Sequence, residues 1–262
     1  MSNQQRLSDD KSFLSQRTLD HDTWNYGLAR LPKASTILLG PIQGVLPFDG
    51  ARNPGFRSAT SHRVWLTYKT EANNWRPKVG ICESAAEAGC ALDLLIDPST
   101  HDLKFQPLTI RFRSDDGKTP EYTHDLLHTA KNGHRRLIFV RNEVSLSKPK
   151  TWRDIKAIVA ATPKNAADDM IVINASDYSR QRRENLFRMH QFVFEPDAEA
   201  DEVVLWTARR HKTLRLMLDL FPRVTISQPR AFAACYRLVG RKLLQANLDH
   251  VLWEHSKISV AA

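Results

Sequence analysis

Two carboxylates and one cation in the middle of the chain have the types and the order needed to act on a phosphodiester. Glu87 lies in a helical pattern, Asp125 lies in an apolar strand pattern, and Arg141 lies near the end of the next strand pattern. Carboxylates on the edge of a twisted sheet hold Mg²⁺ between themselves and a phosphate group. A nearby cation orients water or stabilises the developing charge. These residues therefore predict a nuclease centre, with Glu87 and Asp125 as its metal ligands.

The third strand lacks one part of that centre. An acid is expected two residues before the cation, but Phe139 stands there, and its phenyl ring cannot coordinate Mg²⁺. Glu143 follows Arg141 by two residues, so on a continuing strand it would share the same face and could supply the carboxylate. Glu83, close to Glu87 in the chain, is the other candidate for this role. Mg²⁺ is therefore expected only if one of these acids completes the site.

Both carboxylates also have structural explanations. Glu87 follows Ser84 by three residues, which is the spacing of a capping box, so it could serve only to cap a helix. Asp125 needs a partner if it is buried, because an unpaired buried carboxylate costs free energy. An ion pair between Asp125 and Arg141, in place of a metal ion, would meet that need.

The hydrophobic patterns place these residues in an α/β framework. A helix begins at Ser84 and must end before Pro98. Three alternating apolar patterns then predict a meander, with a tight turn at 131–133 between the second and third strands. A helix near Thr151 and a buried strand follow. The predicted strands are 61–69, 104–113, 120–129, 135–143 and 169–176.

Beyond Asp177 the patterns become helical. The predicted helices are 179–192, 200–221 and 230–253. This change of character predicts a small helical domain at the C-terminal end. The expected divisions are a leader and irregular segment at 1–60, an α/β core at 61–195 and the helical domain at 196–262.

An excess of basic residues indicates a polyanionic partner. The chain has 38 Lys and Arg against 29 Asp and Glu, a formal net charge of +9. Arg209, Lys212 and Arg215 recur every three residues and would share one helix face, which suits contacts with phosphates. A solvated basic face without a ligand is the alternative. The residues expected to contact double-stranded DNA are Arg180, Arg182, Arg183, Arg209, Arg210, Lys212, Arg215, Arg241 and Lys242.

Several function classes lack support in the sequence. No apolar run approaches the ~20 residues that cross a bilayer, and the polar N-terminus has no signal-peptide core. A cytoplasmic protein with no membrane partner is therefore expected. The three cysteines lack metal-binding spacing and predict buried thiols. No phosphate-binding loop, dinucleotide motif or serine-hydrolase motif is present.

The ordered set of motifs resembles that of TnsA-type subunits of heteromeric transposases. The first helix and strand read ESAAEAGCALDLLIDPSTHDLKFQPLTI, the next strand reads YTHDLL, and the third reads LIFVRNE. The segment IVINASDYSRQRRENLF and the C-terminal ending extend the resemblance over 60–260. It implies a restriction-endonuclease-like core, a winged-helix-like C-terminal domain and cutting of the 5′ ends of a transposon. It also implies a partner transposase and an ATP-dependent regulator.

Carried over residue by residue, the resemblance assigns metal-binding positions to Glu87 and Asp125. Phe139 stands where the family has Gln or an acid, Arg141 stands where it has Lys, and His124 replaces a Pro. The expected protein is therefore a DNA-binding subunit impaired in cleavage that acts with partners in DNA transposition or recombination. An active Mg²⁺-dependent endonuclease is one alternative. A sequence-specific transcriptional regulator with a C-terminal helix-turn-helix is the other.

Overall fold

The structure, a computed structural model, describes residues 42–54, 63–211, 213 and 215–261. The predicted leader at 1–60 therefore lies outside the described residues except for 42–54. The strands are β1 (Val64–Tyr68), β2 (Lys78–Cys82), β3 (Thr100–Phe105), β4 (Thr109–Arg111), β5 (Glu121–Thr123), β6 (Leu126–Ala130), β7 (Arg135–Arg141), β8 (Asp169–Asn174), β9 (Leu244–Ala246) and β10 (Ile258–Val260). The α-helices are α1 (Ala85–Ile96), α2 (Glu143–Leu146), α3 (Pro149–Ala161), α4 (Arg180–Val193), α5 (Ala198–Arg210), α6 (Met217–Leu220) and α7 (Gln228–Gly240).

A mixed sheet in the order β3-β6-β7-β8 is the framework of the fold. Strand β6 pairs antiparallel with β3 and β7, whereas β7 and β8 are parallel. A parallel pair needs a crossover connection, and the chain makes it through α2 and α3. Antiparallel pairs also form between β1 and β2, between β4 and β5, and between β9 and β10.

Helices cover both faces of the sheet. Side chains alternate along β7, and each of its two faces packs against a different helix. Ile138 and Val140 join the buried cluster that contains Leu92 of α1. Phe139 lies in a separate cluster with Ile158 of α3. This alternation is the two-residue period of a strand. The predicted α/β fold, with a mixed sheet flanked by helices, is therefore confirmed.

Two predicted strands are broken at the same place. The prediction of continuous strands at 104–113 and 120–129 is wrong, since β3 is separate from β4 and β5 is separate from β6. Gln106 has a positive φ of 49° and Pro107 has no N–H, so the ladder cannot run straight. The Gln106 N–H donates to the Asp125 carbonyl at 2.9 Å, which keeps the two chains paired. The hairpin therefore bends beside Asp125.

Helix α5 is shorter than the predicted helix at 200–221. It ends at Arg210, and the carbonyl of Arg215 accepts a hydrogen bond from the Ile258 N–H at 2.9 Å. The chain at Arg215 thus pairs with the first residue of β10 instead of continuing the helix. The prediction of one continuous helix is therefore wrong, although Met217–Leu220 form the short helix α6.

Helix α7 is shorter than the predicted helix at 230–253. Lys242 adopts a positive φ of 61°, and its N–H donates to the Val239 carbonyl at 3.0 Å. The Leu243 N–H donates to the Leu238 carbonyl at 2.9 Å. These two bonds form a Schellman end, which directs the chain away from the helix axis. The strands β9 and β10 then replace the predicted helical ending.

Helix α1 packs on the C-terminal helices as well as on the sheet. Leu186 of α4, Val204 of α5 and Leu238 of α7 lie in the same buried apolar cluster as Leu92 of α1. Within the described residues, no helix combines the length and apolar character needed to cross a membrane. Because α1 is buried on several sides, its first turn is held in place. This turn contains Glu87.

Candidate functional site

The first turn of α1 holds Glu87 in a buried position. The Ser84 hydroxyl accepts a hydrogen bond from the Glu87 N–H at 3.1 Å, so the predicted helix cap is confirmed. The Glu87 side chain is only 3% exposed, and its Oε2 accepts from the Glu83 N–H at 2.8 Å. Its other carboxylate oxygen, Oε1, accepts from the Gln106 side chain at 3.2 Å. The Glu87 carboxylate thus accepts from Glu83 and not from the N-cap residue Ser84, so the reciprocal half of the predicted capping box is not formed.

Gln106 connects three parts of the site, and the sequence analysis did not select it. It is fully buried at the bend between β3 and β4. Its amide Nε2 donates to Glu87, and its Oε1 accepts from Arg52 at 3.3 Å. Its carbonyl accepts from the Ala51 N–H at 2.7 Å. The Gln-Pro pair near the start of the predicted strand was the available signal, because a proline has no N–H to continue the ladder.

Asp125 and Arg141 form the ion pair that was the structural alternative to a metal. Asp125 follows β5, and its Oδ2 accepts from the Val140 N–H at 2.9 Å and from Arg141 Nη1 at 3.3 Å. The same Nη1 donates to the Val140 carbonyl at 2.9 Å. One guanidinium nitrogen therefore bridges a carboxylate oxygen and a main-chain oxygen. The predicted pair is confirmed.

Both buried carboxylates have a raised pKa. Burial raises the pKa of Asp125 to about 6, with a further rise from Glu83, while Arg141 and the Val140 N–H act in the opposite direction. Burial and the charge of Asp125 raise the pKa of Glu87 well above its ordinary value. Carboxylates raise each other's pKa when they share one low-dielectric space. The charge of Asp125 therefore acts on Glu87, and Arg141 supplies the compensating charge beside Asp125.

Replacing Asp125 with asparagine is expected to change how stability depends on pH. Because its pKa is raised from 3.8 to about 6, the folded protein binds this proton more tightly than the unfolded chain does. The carboxyl therefore makes the free energy of unfolding fall as pH rises from about 4 to about 6. The free energy of unfolding of the wild type and of Asp125→Asn, measured with urea across this range, should differ by an amount that follows this slope. A flat difference would contradict a raised pKa.

The position of the missing acid is filled by an aromatic cluster. Phe139 is fully buried and stacks on Tyr122, with ring centroids 5.1 Å apart and an interplanar angle of 7°. The imidazole of His124 meets the Phe139 ring edge-on at 5.3 Å. The Arg141 guanidinium lies over Tyr122 at 5.2 Å and over Phe139 at 5.6 Å. The phenyl ring thus orients Arg141 and offers no ligand.

Neither alternative acid is free to replace that ligand. Glu143 does not continue the strand, since β7 ends at Arg141 and Glu143 begins the short helix α2 in an exposed position. The prediction that it shares the strand face is therefore wrong. Glu83 forms ion pairs with Arg52 and with Arg63, the second at 3.1 Å.

The residues present, as arranged, do not fit a Mg²⁺ site. Mg²⁺ requires oxygen ligands in near-octahedral geometry. Both oxygens of Glu87 accept hydrogen bonds from the protein, and Oδ2 of Asp125 faces Arg141. Within the described ranges, no group of three or more His, Cys, Asp or Glu side chains is placed to hold a metal ion.

Four of the basic residues predicted to contact DNA bind acceptors within the protein. They are Arg182, Arg183, Arg241 and Lys242. Arg182 pairs with Asp93 of α1 at 3.0 Å, and Arg241 pairs with the buried Asp201 at 2.8 Å. These contacts join the C-terminal helices to α1 and to one another, so part of the basic surface has a structural use.

The other predicted DNA contacts are exposed where the structure describes them. Arg180, Arg209, Arg210 and Arg215 are exposed, and Lys212 lies outside the described residues. The guanidinium of Arg210 lies 5.0 Å from the ring of Trp206. The prediction that Arg209 and Arg215 share a helix face with Lys212 is wrong, because α5 ends at Arg210. These cations do not form one helical stripe.

No protein-family model matches the chain, and no curated protein matches it significantly in sequence. The geometry around Asp125 combines two buried carboxylates, a buried glutamine and a bridging arginine at the bend of a mixed sheet.

Proposed function

We propose that this protein binds double-stranded DNA through a restriction-endonuclease-like core in which Arg141 stands in place of the metal ion. DNA cleavage is lost in this proposal, and the protein acts with a partner transposase and an ATP-dependent regulator in transposition or recombination. The observation that carries the proposal is the bridge from Arg141 Nη1 to the Asp125 carboxylate and the Val140 carbonyl, at 3.3 and 2.9 Å.

A guanidinium differs from a metal ion in what it can do at this position. It neutralises the Asp125 carboxylate and stays charged at every relevant pH. It does not lower the pKa of a bound water to make a nucleophile, which is the contribution of a metal ion to hydrolysis. A site that holds Arg141 instead of Mg²⁺ therefore keeps the structural part of a nuclease centre and lacks the reactive part.

The charge of the chain supports DNA as the partner. The net charge is +9, and Arg180, Arg209, Arg210 and Arg215 are exposed. Exposed cations bind phosphates with little dependence on base sequence. The regulator alternative has less support, because every residue from Ala231 to Gly240 in α7 is buried or half-buried. A recognition helix must expose side chains to enter a groove.

A plasmid-nicking assay tests the loss of cleavage. Supercoiled plasmid is incubated with the protein in Mg²⁺ and in Mn²⁺, and it should remain supercoiled to the same extent as with Asp125→Ala. Nicking that requires the metal and disappears in Asp125→Ala would instead show an active endonuclease. The two outcomes separate the proposal from its main alternative.

An anisotropy titration of labelled duplex tests DNA binding. Affinity should fall as salt rises, and Asp125→Asn should bind as the wild type does. Neutralising Arg209 and Arg210 to Gln should weaken binding and lower the salt slope by about 2. Arg111→Gln is the matched control. Arg111 is an exposed cation of the β4–β5 strand pair, away from α5, and it pairs with Glu121 across those two strands. Absence of salt-sensitive binding would contradict the proposed function.

A further inference from the structure

A cavity of about 340 Å³ lies where the C-terminal end of α1 meets α4 and α7. It is at the opposite end of α1 from Glu87, which lies in the first turn of that helix. Its buried wall includes Ile96, Met189 and Tyr236. Small-molecule sites have volumes of roughly 300–1,000 Å³ and mostly apolar walls with a few polar groups. The cavity has both properties.

Cations outnumber acids around this cavity. The charged residues that line it are Lys69, Lys131, Arg237, Arg241 and Asp97. The Asp97 carboxylate is already bound by Lys242 and by Ser99, which lowers its pKa to about 2 and keeps it ionised. Arg237 and Arg241 share the carboxylate of Asp201. The remaining positive charge favours an anionic ligand.

One buried guanidinium in the wall has a nitrogen without a hydrogen-bond partner among the described residues. Arg237 is 4% exposed; its Nε donates to Asp201 at 2.7 Å and its Nη1 donates to the Glu195 carbonyl at 3.2 Å. Its Nη2 has no hydrogen-bond partner among the described residues. Because this nitrogen has almost no accessible surface, an anionic ligand in the cavity would contact the other lining cations, Lys69, Lys131 and Arg241.

Trp75 stands at the edge of the cavity in an unfavourable backbone conformation. Its side chain is 59% exposed, and its φ is 55°, directly after Asn74 at 51°. A bulky residue with positive φ is a genuine outlier. The turn holds it there through a hydrogen bond from the Trp75 N–H to the Thr70 carbonyl at 2.9 Å. Strain of this kind, at an exposed aromatic beside a cavity, is typical of ligand contacts.

We propose that this cavity binds a nucleotide unit, with the base against Trp75 and the phosphate among Lys69, Lys131 and Arg241. Bases stack on exposed aromatic side chains, and phosphates bind clustered cations. The apolar wall and the indole ring together distinguish the site from a simple anion site. The nucleotide is either free or the terminal unit of a DNA strand. This proposal stands whether or not the Asp125 centre cuts DNA.

Calorimetric titration of the full chain with deoxyadenosine monophosphate tests the proposal. Saturable binding is expected, tighter than for inorganic phosphate or for deoxyadenosine alone. Trp75→Gly should weaken this binding by about 5- to 150-fold, the range of one lost base stack. Since glycine accepts positive φ, the same variant should melt at the wild-type temperature or above. Lys131→Glu should lower the affinity for the nucleotide and the affinity for inorganic phosphate together.

Trp206→Ala is the matched control, because Trp206 is 56% exposed on α5 and does not line this cavity. It should leave the titration unchanged. Tighter binding of a 5′-phosphorylated single strand than of the mononucleotide identifies a strand end as the ligand, and the reverse identifies a free nucleotide; both support the site. Absence of saturable binding, or equal binding by wild type and Trp75→Gly, would overturn it.

Discussion

Replacing Arg141 with alanine is expected to lower the free energy of unfolding by about 2–4 kcal/mol at about pH 8. The substitution leaves Asp125, whose side chain is 8% exposed, without the cation that faces it. It also removes the donor to the Val140 carbonyl and the contacts of the guanidinium with Tyr122 and Phe139. Urea unfolding measures the loss, on the condition that the m-value is unchanged.

The loss should depend on pH in a defined direction. Burial alone already raises the pKa of Asp125, and Arg141 lowers it, so removal of the arginine raises this pKa further above about 6. At about pH 5 the variant therefore carries a protonated Asp125 and loses less stability than at about pH 8. Arg141→Ala combined with Asp125→Asn should cost less than the sum of the two single changes.

A surface ion pair provides the control for this prediction. Arg111 and Glu121 form a pair whose side chains are 73% and 60% exposed. Arg111→Ala should cost less than about 1 kcal/mol, with little change between the two pH values. If Arg141→Ala behaved like Arg111→Ala, Arg141 would not be the compensating charge of the site.

Replacing Gln106 with alanine is expected to cost about 2–4 kcal/mol. The change removes two side-chain hydrogen bonds to charged groups, one to Glu87 and one from Arg52. It leaves the buried Glu87 carboxylate with only the Glu83 N–H as a partner. Thermal or urea unfolding of the variant beside the wild type measures the effect.

Glycine at position 106 separates the side-chain effect from the backbone effect. Glycine loses the same two hydrogen bonds but accepts the positive φ of 49° without a steric penalty. Gln106→Gly should therefore be more stable than Gln106→Ala by about 1 kcal/mol, the reverse of the usual order of these residues. Greater stability of the alanine variant would contradict a left-handed conformation at this bend.

Local patterns were sufficient to predict several parts of the site. Ser84 caps α1 as its spacing with Glu87 predicted, because capping depends on residues within one turn. The β7 pattern placed Phe139 and Arg141 on one face, because strand alternation is a property of the backbone. The ion pair between Asp125 and Arg141 followed from the cost of burying a lone carboxylate.

The sequence by itself determined the α/β framework, the capped helix and the candidate carboxylates, because periodicity and capping are local properties. Only the tertiary structure decided that Gln106 joins Glu87 to Arg52, that Glu143 leaves the strand and that α5 ends before Arg215. The contacts of Gln106 and of Arg215 join residues that are distant in the chain. A side chain acquires such partners only when separate elements pack together. The spacing of residues along the sequence does not give the distance between side chains of separate elements.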